Sequence, residues 1–150
     1  MTRLSRALGA VLMGVFSPLA LAAGLDMHKD PNCGCCSAWA EHMREAGFEV
    51  RLHDSPDMAA VKQRLGVPQA LASCHTATLT NEDGRRYLIE GHVPAEQVAW
   101  LLETSPDIDG LAVPGMPHGS PGMETGRLDD YAVLGFTVDD GRAKVVARYP

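Results

Sequence analysis

Cys33, Cys35 and Cys36 lie within four residues, and the fourth cysteine of the 150-residue chain, Cys74, is followed at once by His75. A disulfide framework spreads its cysteines so that each bridge closes a long loop. Three sulfurs within one helical turn suit a thiolate-rich metal site or a redox dithiol instead. Two structural disulfides are the plain alternative, although a bridge between neighbours such as Cys35 and Cys36 is strained. Thiolate, thioether and imidazole together select soft metals, and Cu(I) is the softest of those common outside the cytoplasm. Zinc competes, because Cys33, Cys36, Cys74 and His75 would make a tetrahedral site. That site leaves Cys35 without a role, whereas bridging thiolates in a multinuclear copper centre would use Cys35 and Cys36 together, so copper ranks ahead of zinc. The oxidoreductase alternative uses Cys33 and Cys36 as a dithiol at a helix N-terminus, where the dipole and free amides favour thiolate.

What thiols can do depends on the compartment. Residues 1–22 read as a secretory signal peptide: Arg3 and Arg6, an apolar run from Ala7 to Leu21, and Ala20-Leu21-Ala22 as the cleavage box. The run is shorter than the roughly 20 residues of a membrane span, and Ser17-Pro18 interrupts it. The expected mature chain, 23–150, is a single domain outside the cytoplasm with no membrane span. Losing Arg3 and Arg6 makes the formal charge of −6 still more negative. No basic patch survives, which argues against nucleic acid and anionic lipid as partners.

The elements that would position the thiols follow from hydrophobic period and punctuation. Leu25 to His28 is a short strand ending at the Pro31-Asn32-Cys33 turn. From Cys35 to Ala46 the period is helical, with Trp39, Met43 and Ala46 on one face and Gly47 at the end. Phe48 to His53 alternates as a half-buried strand with Phe48, Val50 and Leu52 inward. Ser55-Pro56 starts a second helix with Met58, Val61 and Leu65 inward, closed by Gly66. Thr76 to Thr80 and Tyr87 to Glu90 flank Asn81-Glu82-Asp83-Gly84 as a β-hairpin. Pro94 opens a third helix carrying Val98, Leu101 and Leu102. Val113 to Met123 holds too much Pro and Gly for helix or sheet and reads as an ordered loop with Met116, His118 and Met123. Tyr131 to Val138 and Ala143 to Tyr149 form a C-terminal hairpin.

The class is therefore α/β, a β-α-β-α-β-β-α order like that of a thioredoxin-like domain. In that topology Cys33, Cys35 and Cys36, then Cys74-His75, then Gly91-His92, fall on one rim. A thioredoxin-like oxidoreductase carries a proline before its third strand; here Ser73-Cys74-His75-Thr76 stands there, which favours holding an ion over exchanging disulfides. His42 and His53 are expected on solvated faces, Met43 and Met58 in packing positions, and Trp39 and Trp100 in the core. His28 and Met27 are left open.

Four motifs in order carry a resemblance: Asn32-Cys33-Gly34-Cys35-Cys36, Ser73-Cys74-His75-Thr76-Ala77, Glu90-Gly91-His92-Val93-Pro94, and the run from Gly110 through Pro117 with Gly119 to Glu124. Over about Asp26 to Phe136 the chain resembles the CopG-like periplasmic copper-resistance proteins. The resemblance implies a thioredoxin-like fold, a periplasmic location, copper bound at the cysteines, and a role in copper tolerance that admits Cu(I)/Cu(II) redox cycling. By motif, the implied ligands are Cys33, Cys35, Cys36 and Cys74, joined by His75, His92, Met116 and Met123. The implied partners are copper ions and other periplasmic copper-handling proteins.

Overall fold

A computed structural model describes residues 23–150; the expected signal peptide lies outside the described residues. The chain runs through β1 (Gly24–Lys29), α1 (Gly34–Glu45), β2 (Glu49–Asp54), α2 (Met58–Leu65), a 3-10 turn (Gln69–Leu71), β3 (Thr76–Thr80), β4 (Arg86–Glu90) and α3 (Ala95–Thr104). Apart from the extra turn this is the expected β-α-β-α-β-β-α order. It continues into β5 (Gly110–Ala112), β6 (Tyr131–Phe136) and β7 (Ala143–Tyr149). All seven strands form one sheet in the order β2-β1-β3-β4-β5-β6-β7.

The strand β5 was not expected. Three residues are too few to show a period, yet all three are buried. They pair in parallel with β4 and antiparallel with β6, and so join the C-terminal hairpin to the main sheet.

Pairing explains why one rim gathers the motifs. β1 and β3 are antiparallel with His28 opposite Thr76; β3 and β4 are antiparallel with Thr76 opposite Glu90; β4 and β5 are parallel with Glu90 opposite Ala112. His28, Thr76, Glu90 and Ala112 thus form a row across the sheet. Just beyond that row lie Cys33, Cys74-His75, Gly91-His92 and the loop that begins at Val113.

Helix α1 covers one face with Cys36, Trp39, Ala40 and Met43 buried at helical spacing. Trp39 is fully enclosed and its Nε1 donates to the Val93 carbonyl at 2.9 Å, which joins the helix to the rim beside His92. Truncating a side chain of this kind to alanine costs about 3–5 kcal/mol. Gly47 ends the helix with φ of 94°, a conformation that glycine adopts without strain. Met27 belongs to the core.

Several expected details shift. Leu52 is 40% exposed, because β2 is the edge strand and only Val50 of it reaches the core. Asp57, not Ser55, caps α2, its carboxylate accepting from the Ala60 amide at 3.0 Å. Within α2 only Val61 is buried. Met58 and Leu65 are half-buried. No helix among the described residues is long and apolar enough to cross a membrane.

Candidate metal centre

The turn after β1 delivers three sulfurs to the start of α1. Cys33 is the N-cap, and its sulfur accepts from the Cys36 amide at 3.3 Å. The first turn of α1 carries no acidic residue, so nothing offsets the positive end of the helix dipole facing the thiols. Cys33 and Cys36 are joined as a disulfide, while Cys35 and Cys74 are free. The two-disulfide alternative is thus not what forms, and neither Cys33 nor Cys36 is the free thiol that the metal reading expects of it. The Cys35 sulfur lies 3.5 Å from that of Cys33. All four sulfurs fall within 4.8 Å of one another.

A second group shares one of those sulfurs. Cys74, His75 and His92 also offer ligand atoms within 4.8 Å of one another. The Cys74 sulfur is 3.0 Å from His92 Nε2 and 3.3 Å from His75 Nδ1. His92 Nδ1 donates to the Pro121 carbonyl at 2.7 Å, which can only accept, so this tautomer leaves the Nε2 lone pair facing Cys74. A hydrogen-bonded second nitrogen of this kind is what orients a ligating imidazole. His75 is fully buried, and its Nε2 has no hydrogen-bond partner. An unpartnered polar atom inside a protein is costly, and a bound metal ion would satisfy it.

The electrostatics keep Cys74, His75 and His92 uncharged. Burial, then the neighbouring Cys35, pushes the Cys74 thiol up to about 12, so it stands protonated and can donate to His92. Burial, then the nearby His92 and Lys62, holds His75 well below its usual value, against a smaller opposing pull from the Gly91 backbone. Burial likewise lowers His92, opposed by the Pro121 carbonyl and Glu124. Neutral imidazoles are the ligating form, and a metal ion displaces the thiol proton. The Trp39 ring lies 4.6 Å from His75, and the His92 ring meets His75 edge-on at 5.0 Å, so His75 is walled in by aromatic surface.

The proline- and glycine-rich loop seats directly on the site. A Cβ at Gly122 would lie 2.6 Å from the Cys35 carbonyl and 2.8 Å from the Trp39 amide, with φ of 86°. Only glycine fits there. The pairing of His42 with Glu124 at 2.6 Å fastens the far end of the loop to α1. The structure therefore brings together Cys33, Cys35, Cys36, Cys74, His75 and His92. The two loop methionines are placed differently: Met116 is 50% exposed beside Pro117 and Tyr131, and Met123 is half-buried. His118 bonds to Thr125, just past the end of the loop. Sequence reasoning missed Pro121, whose carbonyl fixes His92; its place in a motif of turn formers was the only signal available.

Comparison with known proteins follows the same residues. A family of proteins of unknown function, DUF411, matches residues 71–123, from the approach to Cys74 to Met123. Two solved structures titled copper resistance protein copG align over 87% of this chain. One, form 2, is 49% identical with a TM-score of 0.78 and is covered over 100% of its length. The other, form 1, is 50% identical with a TM-score of 0.77 and is covered over 99%. No curated protein matches the sequence.

Proposed function

The chain belongs to the CopG copper-resistance family, and from that premise we propose that it is an exported copper-binding protein of copper homeostasis, acting in the periplasm. With the Cys33–Cys36 bridge reduced, it holds copper as cargo on Cys33, Cys35, Cys36, Cys74, His75 and His92, with Met116 and Met123 as thioether ligands on the covering loop. The observation that carries this reading is the meeting of four sulfurs and two neutral imidazoles on one rim, one imidazole nitrogen being buried without a partner. The donor set is sulfur and nitrogen with no carboxylate, which favours Cu(I) and disfavours calcium, magnesium and manganese. The nitrogen-bearing half around His75 and His92 is the better host for Cu(II).

The Cys33–Cys36 bridge supports a redox role alongside storage. When the two thiols close to the disulfide they release two electrons and two protons. Two Cu(II) ions take up those electrons and become two Cu(I). Reopening the bridge needs two electrons and two protons from a periplasmic thiol or other reductant. A second reading, a thiol–disulfide oxidoreductase, is favoured by that same bridge at the N-terminus of α1. Anaerobic purification followed by elemental analysis separates the readings. More than one copper per chain supports copper holding, a metal-free protein with a reducible disulfide supports the oxidoreductase, and a single zinc supports a structural zinc site.

A further inference from the structure

We propose that Glu90 is the positioning residue of the site, setting the separation between Cys74-His75 and His92. The inference rests on the copper-site reading above and adds a residue outside the ligand set. Glu90 ends β4 with no solvent exposure, a place where a carboxylate is rarely found unless it is fully bonded. Its Oε1 accepts from the Ser73 amide at 2.6 Å, and its Oε2 accepts from the Thr76 hydroxyl at 2.6 Å. Ser73 and Thr76 stand on either side of Cys74-His75, so a single carboxylate brackets that dipeptide from both ends.

The same residue reaches the other parts of the rim. Its chain continues directly into Gly91-His92. Its carbonyl accepts from the Val113 amide at 3.0 Å, where the covering loop begins. Next to it, the Gly91 amide donates to the His75 carbonyl at 3.0 Å. From α2, Lys62 reaches Oε1 at 2.6 Å and the Thr76 hydroxyl at 2.9 Å. Glu90 is thus tied to each segment that supplies a group of the Cys74, His75 and His92 cluster, as well as to the start of the loop. A simple core residue would have no reason to be a carboxylate here, since an apolar side chain fills such a space without needing the three bonds this carboxylate makes.

Glu90→Met and Glu90→Gln form the test. Methionine keeps the approximate volume and removes both acceptors. Lys62, which is 13% exposed, can turn to solvent once its partner is gone. Glutamine keeps one acceptor for Ser73, and its amide can donate to the Thr76 oxygen. Glu90→Met should weaken Cu(I) binding in a chelator competition by about 10–100-fold, as outer-shell changes do. It should also raise the rate at which iodoacetamide alkylates Cys74 in the reduced, copper-free protein. Glu90→Gln should stay close to wild type in both. If Glu90→Met does not fold, Thr76→Val removes one of the two bracketing bonds and should move both readouts in the same direction, by less.

A folded Glu90→Met or Thr76→Val protein with wild-type Cu(I) affinity and wild-type Cys74 alkylation overturns the proposal. Wild-type protein that holds no copper overturns the copper reading alone, because the alkylation rates still decide whether Glu90 positions Cys74.

Discussion

Two pairs of histidines sit at almost the same spacing in this protein but in unlike surroundings. His75 and His92 have ring centres 5.0 Å apart, and His28 and His53 have theirs 4.9 Å apart. The second pair lies on β1 and the edge strand β2, where His28 bonds to Ser55 at 3.3 Å and His53 to Asp26 at 3.0 Å. Asp26 is itself gripped twice by Arg51, and the charge of Arg64 is felt at His28. Both rings of this pair are open to solvent to some degree, and their polar atoms find protein partners. The first pair is buried, touches a free sulfur, and keeps one nitrogen unpartnered. Histidine proximity alone therefore does not single out a candidate site; the shared thiol and the vacant lone pair set the buried pair apart.

The comparison breaks most directly at Cys74, the sulfur common to both ligand groups. Cys74→Ser should reduce copper binding by more than the roughly 10–100-fold expected of an outer-shell change, as measured by copper-to-protein ratio after desalting. Retained stoichiometry would mean that the two groups do not form one centre. Cys35→Ser should come next, lowering the copper stoichiometry without abolishing binding. Wild-type stoichiometry in that variant, alongside loss in Cys36→Ser, would point to a mononuclear site.

Acidity sharpens the contrast in a different way. The folded values of His75 and His92 lie below normal, so below about pH 6.5 the unfolded chain binds protons that the folded site refuses. Stability of the copper-free protein should therefore fall as pH drops through that range, and His75→Gln should flatten the fall. His28→Ala should flatten it less, because His28 is partly open to solvent. Urea midpoints between about pH 7.5 and pH 5.5 check this, and equal slopes in all three proteins would contradict it.

Smaller effects are expected further out. Replacing Met116 and Met123 together with leucine should cost less than about 1.5 kcal/mol of stability while lowering Cu(I) affinity; unchanged affinity would make the loop a packing element. The double change His28→Ala with His53→Ala should leave copper binding untouched and alter stability by only about 1 kcal/mol or less. A loss of copper there would erase the distinction between the two pairs.

Much of this site was legible in the chain. Cys33-Gly34-Cys35-Cys36 at a helix start and Cys74-His75 before a strand are local patterns, and the element order alone puts them on one rim with His92. What stayed hidden was non-local or short. Glu90 and Pro121 act through hydrogen bonds to segments 14 and 29 residues away, and nothing in a local period marks such partners. β5 is three residues long, below the length at which alternation can be recognised. The Cys33–Cys36 bridge was one of several pairings the spacing allowed, and Leu52 followed an inward period on an edge strand that the core only partly covers.

X-ray absorption at the copper edge, on anaerobically loaded wild-type protein, tests the central claim most directly. The account predicts a first shell dominated by sulfur with a smaller imidazole contribution, and loss of sulfur scattering in Cys74→Ser. A shell of nitrogen and oxygen alone, unchanged in Cys74→Ser, would contradict it and place the metal away from this rim.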